Sequence, residues 1–172
     1  DERSLLAIGC FDVALEHQAA IALLHSSELY GSALALLRVL TESLVRGLWL
    51  LDCASDAHLQ KFKKGKLDKT FSELVTDIEA KMGTPNGVLS GFKATAWTAL
   101  NGFTHTDFHQ VSRRHTPGKV EGNYSEDELA KALGVAGALG LIAGGQIIHM
   151  SGQQELLPAF FERMSAYANV TP

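Results

Sequence analysis

Residues 32–54 read SALALLRVLTESLVRGLWLLDCA, and leucines at positions 34, 37, 40, 44, 48 and 51 return with the period of an amphipathic α-helix. This stretch predicts a helix from about Ser32 to Ala54, and the chain on either side divides in the same way. Ahead of it, Leu5, Leu6, Ile8, Phe11, Leu15, Ile21 and Leu24 supply the apolar face of a helix over about Arg3 to His25. Behind it, DAHLQKFKKGKLDK is polar and predicts one short helix and a loop. Thr70 with Glu73 forms a capping box that opens the next helix, which Gly83 and Pro85 close. A fifth helix is expected from Val88 or Ser90 to about Ser112. Pro117 and Gly118 then force a loop, and Ser125 with Glu128 opens a helix that ends near Gly152. A last one covers about Gln154 to Ala168, bent or started late at Pro158. No run alternates with period two for long enough to predict a strand. The expectation is an all-α, single-domain up-and-down bundle of five to seven helices over residues 1–172, with basic linkers near 56–69 and 113–124.

Length and composition agree with that picture. A chain of 172 residues, 46% hydrophobic and 20% charged, can fill one sizeable core, which excludes general disorder. Its formal charge of -4 supplies no global field for nucleic acid, so any such contact must be local. Cys10 and Cys53 lie within apolar helical patterns and read as buried thiols, which implies a cytoplasmic protein. The chain starts Asp-Glu-Arg and presents no cationic leader, so a precursor is not expected. From Ala132 to Met150 the sequence ALGVAGALGLIAGGQIIHM approaches the length of a membrane span. Gly134, Gly137, Gly140 and Gly144, however, give it one face almost free of side chains, so it reads as a central bundle helix that others approach closely, and no membrane partner is expected.

Two polar stripes interrupt this apolar scheme. Arg38, Glu42 and Arg46 follow each other at i,i+4 on the second helix, in a band about 80° wide at about 100° per residue. Apolar neighbours border the band on both sides, which predicts at least half burial, with Glu42 pairing both arginines. On the fifth helix Asn101, His105, His109 and Arg113 recur at the same spacing. The helical wheel makes His105 the more buried histidine, bonded to Glu42 or Asn101, and sends His109 and Arg113 toward a rim. Histidine exchanges protons near neutral pH and arginine holds phosphate, so these residue types suit metal-independent RNA cleavage. A structural ion-pair network accounts for the same residues.

The pair His105 and His109 has the spacing of two metal ligands, but Thr106 stands where a zinc protease carries its catalytic Glu. No metal or cofactor is expected. Two basic tracts, Lys61 to Lys69 and Arg113, Arg114, His115 and Lys119, hold eight of the 15 lysines and arginines and could guide RNA despite the acidic total. Solvated loop charge is the alternative.

The arginine- and glutamate-bearing second helix, the later L-N-x-x-x-H of Leu100, Asn101 and His105, and the bundle architecture together resemble the HEPN-like superfamily, near its uncharacterised bacterial branches and the abortive-infection proteins. The resemblance implies a metal-independent RNase or nucleotide-acting protein working at a homodimer interface. His105 and His109 would transfer protons, with Arg46, Glu42 and Asn101 completing the catalytic set, and Arg38, Arg113, Arg114 and Lys119 would hold RNA or phosphate. Active members carry an arginine four to six residues before the histidine, and none precedes His105 at that distance. Either Arg38 or Arg46 substitutes for it, or the bundle is a noncatalytic module that binds a regulatory protein partner in phage defence or toxin regulation.

Overall fold

Asp1 accepts a hydrogen bond from the Ser4 amide and so opens α1, Glu2–Ser26. The computed structural model describes the backbone of residues 1–170 and the side chains of residues 1–167. After α1 come α2 (Tyr30–Asp52), α3 (Asp56–Lys63), α4 (Phe71–Lys81) and α5 (Val88–Thr104). They are followed by α6 (Phe108–Val111), α7 (Glu126–Ser151) and α8 (Leu157–Val170). The fold is all-α, as the sequence predicts. The described residues hold eight α-helices because the expected fifth helix is split into α5 and α6. Two strands of two residues, β1 (His115–Thr116) and β2 (Lys119–Val120), pair antiparallel around Pro117 and Gly118. Gly118 has φ 80°, which suits the second central residue of a type II turn after proline. These strands are too short to leave a period-two pattern.

Local chemistry accounts for most helix ends. Thr70 and Glu73 make the expected reciprocal capping box. Ser125 accepts from the Glu128 amide, but the Glu128 carboxylate turns to Arg113 at 2.5 Å, so only half of the second box forms. The uncapped start of α5 is served from another helix. Glu79, 4% exposed on α4, accepts from the Ser90 amide at 2.8 Å and the Ser90 hydroxyl at 2.5 Å.

The central helix is α2, and not the glycine-bearing α7 that the sequence suggested. Leu37, Leu40, Leu44, Val45, Trp49 and Leu50 of α2 are buried, and α1, α4, α5 and α7 all pack against it. Gly47 lets α1 come close, since a Cβ there would lie 2.5 Å from the Phe11 ring. On α7 the glycines do serve close approach, but toward two neighbours. Gly140 faces Gln18 of α1, whereas Gly137 meets Tyr167, and Gly144 and Gly145 meet Phe160, of α8. Both α1 and α7 are long and apolar enough, by length and composition, to cross a membrane, and both are also helices of the packed bundle. Cys10 and Cys53 are free and half-buried, and burial pushes both thiols up.

Candidate anion-binding site

The expected stripe of four polar residues on one helix does not exist, because the helix stops within it. Thr104 is the last residue of α5, His105 is its C-cap, and Thr106 takes a left-handed φ of 54°. The amide of Asp107 returns to the Gly102 carbonyl at 3.0 Å, the long-range bond of a Schellman ending. Asp107 then caps the His109 amide at 2.8 Å and starts α6. No Gly or Pro marks this break. What permits it is Gly102, where a Cβ would collide with the Asp107 carboxylate. His105 is therefore exposed on a turn, and not buried in a helix face.

The turn delivers His105 to Arg38, with Nη1 and Nε2 2.5 Å apart. A guanidinium only donates, so in this contact Nε2 takes the acceptor role, which belongs to the tautomer with its proton on Nδ1. The expected partners Glu42 and Asn101 do not make this bond. Glu42 does join the two arginines as its spacing predicts, accepting from Arg38 Nε at 2.9 Å and from Arg46 Nη2 at 3.3 Å. All three are partly withdrawn from solvent, with Arg46 the most open at 43%. Arg38 also lies 5.4 Å from the centre of the Trp97 ring, on which Phe71 stacks at 3.8 Å and 8°.

These side chains wall a cavity of about 360 Å³ between α2, the start of α4 and α5. Arg38, Glu42, Arg46, Lys69, Phe71 and Trp97 line it, together with Thr70, Ser72 and Leu74. Lys69 is anchored from behind, since Asp77 accepts from its ammonium at 2.6 Å and from the buried Trp49 indole at 2.7 Å. Burial works to raise the Asp77 carboxyl, but the Lys69 and Trp49 bonds hold it below the usual carboxylate range. The Asp77 bond in turn raises the Lys69 ammonium, which stays charged. Three cations and one carboxylate thus face a solvent-open hollow on an acidic protein. The amides of Phe71 and Ser72, which precede the first helical hydrogen bond of α4 from Leu74 to Thr70, add a positive helix end.

A model of a family of unknown function, DUF6988, matches residues 11–172, a span that includes every cavity residue. This chain belongs to DUF6988. No curated protein and no solved structure matches it.

In this DUF6988 chain His105 reaches Arg38 from outside the cavity lining, and the remaining sequence-predicted residues also fall outside it. His109 is exposed on α6, and among the described residues its ring has no hydrogen-bond partner. Arg113 bonds Glu128 and lies 5.6 Å from the Phe103 ring, so it ties the basic loop to α7, away from the cavity lining. Arg114 reaches over Gly31, and Lys119 is an exposed hairpin residue 4.0 Å from Glu121. Asn101 stands one helical turn from both Trp97 and His105, the two residues of α5 and its cap that touch Arg38. Its Oδ1 is buried and has no hydrogen-bond partner among the described residues. Among the described residues no three His, Cys, Asp or Glu side chains gather as metal ligands do.

Sequence reasoning missed Lys69 and Phe71 as cavity residues. Lys69 looked like one of five solvated lysines, and its neighbours Lys61 and Lys63 do pair with Asp68 and Glu2 on the surface. The available signal was its position directly before the Thr70 cap, where a lysine shares the mouth of a helix N-terminus.

Proposed function

We propose that the cavity binds the phosphate of a phosphate ester, with RNA or a nucleotide as the ligand class, and that His105 transfers a proton in its metal-independent cleavage. The observation that carries this reading is the convergence of three cations, Arg38 and Arg46 of α2 and Lys69 directly before the Thr70 cap of α4, on one open hollow, with the His105 imidazole on Arg38. Arg46 uses one nitrogen on Glu42, leaving donors for a ligand. With Nδ1 protonated, His105 presents Nε2 as the basic nitrogen, so a ligand that draws Arg38 away would release it for proton abstraction. The resemblance of Arg38, Glu42, Arg46, Leu100, Asn101 and His105 to HEPN-like proteins is in keeping with this assignment, with Arg38 in place of the arginine that does not precede His105.

A noncatalytic module is the second reading, favoured by one observation: Glu42 and Asp77 already engage all three cations. Calorimetry with adenosine monophosphate and a short oligoribonucleotide, together with a cleavage assay on the latter, separates the two. Arg46→Met should weaken binding by about 10- to 100-fold, the loss of one or two charge-assisted hydrogen bonds. His105→Ala should abolish turnover while binding persists. Turnover unimpaired by His105→Ala would remove that residue from the chemistry. Failure of both ligands to bind the parent protein would leave the network as architecture.

A further inference from the structure

Arg46 lines a second hollow. With Leu5, Gly9 and Val13 of α1, Ser43 of α2 and Phe62 of α3 it lines a groove of about 390 Å³ that Lys69 does not border. The groove is apolar and open, with Leu5 72% and Val13 41% exposed. At Gly9 a Cβ would meet nothing within 4 Å. Such apolar surface is usually covered by something. The cationic cavity and this groove share one lining residue, Arg46, so a single ligand lying across it would place an anionic head in one and an apolar portion in the other.

We infer that the groove is the second half of the ligand site, and that the ligand is an amphipathic phosphate ester whose phosphate rests on Arg38, Arg46 and Lys69 and whose apolar chain lies along α1. The inference rests on the phosphate reading of the cavity but departs from its nucleotide ligand class, putting an apolar group in place of the nucleoside. A nucleobase carries several donors and acceptors that need partners when buried. Beside Arg46, which the phosphate engages, the side chains lining the groove offer it only the Ser43 hydroxyl and the Cys10 thiol. An alkyl or acyl chain has no such requirement. Burial keeps the Cys10 thiol protonated against the pull of Arg46, so the wall next to the chain stays neutral.

Calorimetry of the intact protein with methyl phosphate, octyl phosphate and adenosine monophosphate tests this, using submicellar octyl phosphate. Each buried methylene is worth about 0.8 kcal/mol, or about fourfold in affinity, so octyl phosphate should bind at least roughly tenfold more tightly than methyl phosphate. Gly9→Leu fills the groove from a position with open space around it. It should erase the octyl gain while methyl phosphate binds as before. Equal affinity for the two alkyl phosphates, or an octyl gain that survives Gly9→Leu, overturns the apolar extension and leaves the phosphate cavity standing. If methyl phosphate and adenosine monophosphate both fail to bind, the phosphate reading itself falls. Sedimentation showing a dimer of the free protein that Gly9→Leu dissociates would put a second copy in the groove, which also overturns the inference.

Discussion

Thr106 holds a backbone conformation that β-branched residues rarely adopt, with φ 54°, and it does so between His105 and the Asp107 cap. A left-handed residue with a Cβ costs about 1–2 kcal/mol, whereas glycine in its place adds about 0.5–1 kcal/mol of backbone entropy. Thr106→Gly is therefore expected to stabilise the fold by up to about 1 kcal/mol, read as a higher melting temperature, with His105 still on Arg38. Glu79 is the opposite kind of residue, buried and fully used. The Ser90 hydroxyl bond is the main cause that holds its carboxyl below the ordinary range, with the Ser90, Gly87 and Leu89 amides adding to it. A carboxyl lowered in the folded state contributes stability above its unfolded pKa, near 4.3, and loses that contribution as pH falls through the folded value. Glu79→Gln should lower stability by about 1–3 kcal/mol at pH 7, because a charge-assisted cap is replaced by a weaker one. Melting curves of the two proteins should then converge as the pH is taken below about 4.

At the scale of elements, the candidate site exists because α5 ends where it does. Gly102→Ala tests that directly: alanine is the better helix former by up to about 1 kcal/mol, but its Cβ would strike the Asp107 carboxylate. The variant should be less stable despite its propensity, and the His105 imidazole resonances should shift as the turn rearranges. An unchanged spectrum would show that the turn does not depend on the Gly102 contact. The same element marks the boundary of what the sequence discloses. The leucine period of α2 is a local pattern enforced by burial, so it gives the helix and the Arg38, Glu42 and Arg46 band together. The i,i+4 spacing of Asn101, His105, His109 and Arg113 is equally regular, yet the backbone abandons it. A close approach at Gly102 and a capping Asp107 decide the matter, and neither alters the period. Lys69 and Phe71 enter the cavity only because α4 packs on α2, a tertiary contact with no one-dimensional trace.

For the molecule as a whole, the distance between α1 and α7 is set by small residues, and two identical substitutions separate packing from exposure. At Gly140 a Cβ would come within 2.8 Å of Gln18 Cγ and 3.4 Å of Gln18 Cβ. The outer part of that glutamine can swing away, but its Cβ is fixed by the α1 backbone, so a leucine must push the helices apart. At Gly9 on the same α1, the added carbon meets open space. Gly140→Leu should therefore destabilise the protein by about 1–3 kcal/mol through overpacking, even though it removes a helix-weakening glycine. Gly9→Leu should be neutral or stabilising by up to about 1 kcal/mol, since only the propensity gain remains. Each kcal/mol corresponds to roughly 2–4 °C in the melting temperature of a chain of this size. Denaturation of both variants beside the parent measures the contrast. If Gly140→Leu melts with the parent, the α1–α7 contact is loose enough to absorb a leucine, and the glycines of α7 are not what sets the spacing of the bundle.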